Sequence, residues 1–113
     1  MIEATVKAYL DTVFGEDSIP VYLETPKDIP EKYIVFQLVD RGKENQINEA
    51  TIEFRCYAES KYEAAVLDER LREALEAFNE GSDITCHLGG GNDSTDTILK
   101  KYRYRCYFNF YNF

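Results

Sequence analysis

The chain contains no tryptophan, one methionine, one histidine and three prolines in 113 residues. It has no apolar run approaching the roughly 20 residues of a membrane-spanning helix, which excludes a helical span. Met1-Ile2-Glu3-Ala4 lacks the basic start and apolar stretch of a secretory signal, so the chain is expected to be made and folded in the cytoplasm. Cations are also scarce. Thirteen basic residues against 21 acidic ones give a net charge of −8, which repels phosphate backbones and argues against sequence-independent or sequence-specific nucleic-acid binding. Cys56, Cys86 and Cys106 are too few and too scattered for a disulfide framework, and they match neither C-x-x-C nor a zinc-ligand spacing. Buried, reduced thiols are expected of them, with no metal and no cofactor.

What is abundant is aromatic. Nine tyrosines and seven phenylalanines accompany a hydrophobic content of 44%, which removes the chain from the disordered class and supplies a core that grades into an interface. The length suits one domain, 1–113, that buries roughly two thirds of its unfolded surface.

Ile2, Val6, Tyr9, Leu10 and Val13 share one helical face, predicting a helix over 2–14 with Gly15 placed to end it. Ile19, Val21 and Leu23 alternate beside Pro20, which predicts a short edge strand, and Pro26 and Pro30 hold an extended connection. Tyr33 to Val39 and Thr51 to Ala58 read as two paired strands. The polar stretch Asp40 to Glu49 between them reads as a projecting loop or ordered arm. Ser60 and Glu63 form a capping-box pattern ahead of Leu67, Leu71, Ala74, Leu75 and Phe78, predicting a second helix. Its charged residues Asp68, Glu69, Arg72, Glu73 and Glu76 are expected in solvent. Ile84, Cys86 and Leu88 predict a strand before a flexible Gly89 to Asp93 segment, and Tyr102 to Phe113 predicts a final strand with rings to bury on both faces. The order α-β-β-β-α-β-β gives an α+β fold, a mainly antiparallel twisted sheet of four to five strands with two helices on one face.

No chemistry emerges from the motifs. Gly89 to Gly91 lacks the Lys-Ser/Thr of a P-loop and the helix of a dinucleotide fingerprint, and Asp93 to Asp96 lacks the closing Glu of a calcium loop. His87 is the one candidate base for any cysteine nucleophile, but neighbouring Cys86 points to the opposite side of the strand. The cations Lys100, Lys101, Arg103 and Arg105 interleave with Tyr102, Tyr104 and Tyr107 as in a single-strand binding platform. In a strand, however, the two arginines face away from Tyr102 and Tyr104, and Glu53 of the neighbouring strand offers them a partner. The reading is a non-enzymatic domain that binds other proteins.

One layout runs through nearly the whole chain. A short N-terminal helix precedes Pro20-Val21-Tyr22-Leu23-Glu24 and Tyr33-Ile34-Val35-Phe36, and Ala50 to Ala58 then runs directly into Ser60-Lys61-Tyr62-Glu63-Ala64-Ala65. Asn92 to Thr97 leads into the strand Tyr102 to Tyr111. This layout resembles the small tail-completion or tail-terminator proteins of long-tailed bacteriophages and prophages, also described as head-tail joining or minor tail proteins. The resemblance implies a structural protein of the virion, located at the head-tail junction. It implies a ring, commonly a hexamer, that caps the tail tube and docks to the head connector. A ring subunit presents two different surfaces to its neighbours. The arm residues Arg41, Lys43, Glu44, Asn45, Gln46, Ile47 and Asn48, with Tyr107, Tyr111 and Phe113 of the last strand, are the expected subunit interface. The competing reading is a regulatory or adaptor domain that binds a peptide by strand addition.

Overall fold

The computed structural model describes residues 2–24, 26–28, 30–44, 47–80, 84–93 and 102–111. They form an α+β fold with elements α1 (Ile2–Gly15), β1 (Val21–Tyr22), β2 (Tyr33–Glu44), β3 (Ile47–Ala58), α2 (Lys61–Glu80), β4 (Thr85–Asp93) and β5 (Tyr102–Tyr111). One sheet carries all five strands in the order β1-β2-β3-β5-β4.

In α1, Ile2, Val6, Leu10 and Phe14 recur every fourth residue and are all buried, so the helix is held by one apolar face. Gly15 is its last residue, as expected, but the left-handed closing position is held by Ser18. Ser18 takes the left-handed conformation (φ 55°), its N–H donates to Gly15 O at 3.2 Å and the Ile19 N–H donates to Phe14 O at 3.2 Å. This pair of bonds is a Schellman closure, with the buried Ile19 and Phe14 in the same core supplying its apolar contact.

β1 pairs parallel with β2, through Val21↔Ile34 and Tyr22↔Val35, and it is the one departure from the antiparallel arrangement. A parallel neighbour requires the chain to travel back before re-entering the sheet. The remaining pairs, β2·β3, β3·β5 and β4·β5, are antiparallel.

Of the two expectations for the stretch Asp40 to Glu49, the described residues form the ordered arm and not the loop. β2 and β3 continue in register through Asp40↔Thr51, Arg41↔Ala50, Gly42↔Glu49, Lys43↔Asn48 and Glu44↔Ile47, leaving two residues, 45 and 46, between the strands. Periodicity does not mark this extension as strand because Asp40, Arg41, Gly42 and Asn48 are polar or glycine and exposed, so the sequence carries no apolar alternation there. A register shift between Leu38 and Asp40 adds to the difficulty, because it turns Val39 out to 51% exposure.

The segment Gly89 to Asp93 is likewise strand. β4 runs through it beside β5 with a bulge between Leu88 and Gly90, and Gly90 takes φ 147°, which only glycine adopts readily. A Cβ at Gly91 would collide with Nη2 of Arg72 and stand 2.9 Å from the Arg105 carbonyl oxygen. The glycines therefore shape a bulged strand that α2 approaches closely.

α2 opens as predicted, with Glu63 N–H donating to Ser60 Oγ at 3.1 Å and Ala64 N–H to Ser60 O at 3.0 Å. Leu67, Leu71, Ala74, Leu75 and Phe78 are buried in one cluster with the α1 row and with Ile34, Phe36, Ile52, Phe54, Cys106, Phe108 and Phe110 of the strands. Both helices thus pack on one face of the sheet. The charged residues of α2 do not all face solvent. Asp68 is 6% exposed and pairs with half-buried Arg72 at 2.9 Å. Residues 64, 68, 71 and 75 lie on one helical side, so Asp68 turns toward the sheet with its apolar neighbours. Among the described residues no helix is long and apolar enough to cross a membrane.

Candidate interaction surface

The outer side of the sheet carries no helix among the described residues, and strand alternation sends a second set of side chains there. Across β3 and β5 these form five rungs: Tyr57↔Arg103, Arg55↔Arg105, Glu53↔Tyr107, Thr51↔Asn109 and Glu49↔Tyr111. β2 extends the first three with Tyr33, Val35 and Gln37, and β4 extends the last two with His87 and Thr85.

At one end, the rings of Tyr33 and Tyr57 stack at 4.5 Å and Tyr22 meets Tyr33 edge-on at 6.3 Å. Tyr33, Val35, Tyr57 and the half-buried Tyr22 form a small apolar cluster of their own, separate from the main core. The Arg103 guanidinium lies 5.9 Å from the Tyr57 ring centre and that of Arg105 5.8 Å from Tyr107, both within cation–π range. Burial and the neighbouring Tyr57 push the Tyr33 phenol above its ordinary value, against the pull of Arg55 and Arg103, so it stays neutral at physiological pH.

Glu53 sits at the middle of the face and is 7% exposed. Its Oε1 is 3.2 Å from Arg55 Nε, its Oε2 is 3.8 Å from Arg105 Nη1, and Tyr107 Oη donates to Oε2 at 3.2 Å. This is the cross-strand partnership the alternation predicts for Arg105. Next along, Thr51 Oγ1 donates to Asn109 Oδ1 at 2.7 Å.

At the far end, an open cleft of about 140 Å³ is lined by Asp40, Arg41, Gly42, Glu49, Ala50, Thr51, Asn109 and Tyr111. It is smaller than the ~300–1,000 Å³ of small-molecule sites, and its size matches one side chain of a partner. Beyond it β5 has ended, and only the rungs Lys43↔Asn48 and Glu44↔Ile47 overhang. β1 reaches no further along β2 than Val35, so from Phe36 to Glu44 β2 has a strand partner on one side only among the described residues.

No protein-family model matches this sequence, and no curated protein does.

Of the residues expected at a subunit interface, Arg41 and Tyr111 come together in the cleft, and Tyr107 lies two rungs along the same face. Asn48 belongs to the overhang, as do Lys43, Glu44 and Ile47, for which the backbone is described. Asn45, Gln46 and Phe113 lie outside the described residues, as do Lys100 and Lys101 of the cation cluster. Cys56, Cys86 and Cys106 are buried and form no disulfide. Burial pushes the thiols of Cys86 and Cys106 up to about 12 and that of Cys56 well above its ordinary value, so all three are protonated at neutral pH. His87 is exposed on the side opposite Cys86 and pairs its ring with Tyr111 at 6.3 Å.

Sequence reasoning placed Arg105 against Glu53 but missed the tyrosine end of the face and the cleft. Tyr22, Tyr33 and Tyr57 stand on three different strands, and only the register of those strands unites them.

Proposed function

We propose that this chain is a structural subunit of a phage or prophage tail, of the tail-completion or tail-terminator kind. In this reading copies assemble into a ring, a hexamer, that caps the tail tube and joins it to the head connector. The observation that carries the reading is the helix-free outer sheet face, which ends in a one-side-chain cleft and an overhanging hairpin. A sheet face that no described helix covers, with half-buried Arg105, Tyr107 and Asn109 beside the buried Tyr33–Tyr57 cluster, lies next to an overhang and supports the unlike surfaces that a head-to-tail contact needs. The layout described above supports the tail assignment.

The test is removal of the protein from the phage or prophage that encodes it. Complete heads and complete tails should accumulate unjoined, and joined, infectious particles would overturn the assignment.

A second reading has a specific observation behind it. The one-sided stretch of β2 from Phe36 to Glu44 is long enough to pair with an added strand, as an adaptor domain would use it. The bulge at Val39 opposes it, because a bulge twists an edge away from regular pairing.

A further inference from the structure

The two edges of the sheet stay open over the same level. β1 covers β2 as far as Val35, whose rung runs on through Arg55 and Arg105 to Asn92 of β4. The next rung joins Phe36 through Phe54 and Cys106 to Gly91, and the last rung of β5 joins Gly42 through Glu49 and Tyr111 to Thr85. Between these two rungs, among the described residues, β2 has a strand on one flank only and β4 pairs with β5 alone. The open stretch 36–42 of β2 therefore lies level with the open stretch 85–91 of β4, at opposite sides of the sheet.

Both edges carry the same irregularity. Between those rungs β3 and β5 use six residues each, 49–54 and 106–111, whereas β2 and β4 use seven, 36–42 and 85–91, because one has a bulge after Leu38 and the other after Leu88. A regular strand laid on either edge falls out of step at the bulge. The two edges keep step with each other. Three successive antiparallel pairings make β2 and β4 run in opposite directions, so a copy set beside another at the same level pairs them one for one, from Phe36 opposite Gly91 to Gly42 opposite Thr85. That register sets Val39 opposite Leu88, and both are large apolar residues left 51% and 49% exposed. Their burial against each other is a gain that the single copy does not make.

The same register brings Asp40 opposite His87. Asp40 and Gly42 line the open cleft, and their rungs run through Thr51 and Glu49 to His87 and Thr85 on the same side of the sheet. The exposed His87 of a second copy thus arrives beside a cleft sized for one side chain. The Asp40 carboxylate, which accepts the Arg41 N–H at 2.8 Å, is there to accept from the imidazole ring as well.

We propose that copies of this chain join edge to edge, with 36–42 of β2 in one copy pairing antiparallel with 85–91 of β4 in the next. Val39 packs on Leu88, and His87 of the second copy stands beside Asp40 at the cleft. Each copy offers one edge of each kind, so the contact is head-to-tail, and a closed row leaves neither edge open over this stretch. The inference rests on the reading of the chain as a subunit that assembles with its own copies, and it names the edges that join.

Sedimentation velocity on the full chain tests it with the wild type, Val39→Lys and Leu88→Lys, because a lysine on an edge strand blocks strand addition. The wild type should form oligomers larger than a dimer, and each variant alone should be monomeric. An equimolar mixture of the variants should give a one-to-one heterodimer and nothing larger. In that mixture the unaltered β4 of the Val39→Lys chain meets the unaltered β2 of the Leu88→Lys chain, and the two edges that remain are blocked. A second measurement serves if a lysine variant fails to fold. A chain carrying both Val39→Cys and Leu88→Cys, oxidised with copper–phenanthroline, should give a ladder of covalent multimers on a non-reducing gel, and either substitution alone should give no ladder. The three native thiols are buried and protonated and should stay out of the reaction.

Variants that assemble as the wild type does would overturn the inference while leaving the ring reading intact. So would a mixture that stays monomeric or grows past the dimer, or a doubly substituted chain that gives no ladder. A wild type that stays monomeric at every concentration removes both.

Discussion

Ser18 holds a left-handed conformation that costs a residue with a Cβ about 1–2 kcal/mol, and it does so because the closure of α1 requires it. Glycine meets the same requirement without the steric cost, although it raises the entropy of the unfolded chain that folding must remove. Ser18→Gly should therefore stabilise the fold by about 0.5–1 kcal/mol in urea unfolding, and a destabilising result would mean that the hydroxyl does more than occupy the turn. Asp68 poses the opposite problem. Burial raises its pKa above the ordinary 3.8, although Arg72 and the Cys106 thiol pull it down. An acid whose folded pKa is raised binds more protons in the native state, so its contribution to stability falls as pH rises above 3.8. The difference in unfolding free energy between wild type and Asp68→Asn should be flat below that pH and should decline above it. A difference that rises with pH would show that Arg72 outweighs the burial.

At the scale of elements, the β2–β3 hairpin is the part whose role is most exposed to test. Its last two described rungs touch no other strand, so removing residues 43–47 and closing the ribbon with a short turn should leave the melting temperature within a few degrees of the wild type. Assembly should be lost, as read by native mass spectrometry, and a shortened chain that still assembles would remove the hairpin from the interface. The same hairpin marks the limit of what periodicity reveals. α1, α2, β3 and β5 are legible because each buries a face, and the face writes its period into the apolar residues. Arg41, Gly42 and Asn48 of the hairpin end and Gly89 and Gly91 of β4 are exposed, and the regularity of both segments comes from neighbours in the sheet. Asp68 and Arg72 mislead for a related reason: an i, i+4 ion pair looks solvated in the sequence, whereas here Asp68 is turned toward Cys106 and Arg72 reaches toward Gly91. The candidate surface was legible only strand by strand. Glu53 and Arg105 are found by alternation, but the joining of Tyr22, Tyr33 and Tyr57 follows from register.

For the whole molecule, a long dimension of 45 Å against 28 and 24 Å matches the roughly 40 Å that 12-residue strands span. The fold is a two-layer slab with the helices on one side, a tyrosine- and arginine-bearing sheet face on the other, and a hairpin at one end. Such a slab has different surfaces front and back, as the proposed head-to-tail repeat requires. The measurement that tests this most directly is the native mass of the purified full chain at low salt, taken together with negative-stain class averages. The account predicts a single closed oligomer, seen as a ring of six. A monomer or a symmetric dimer across the accessible concentration range would contradict it.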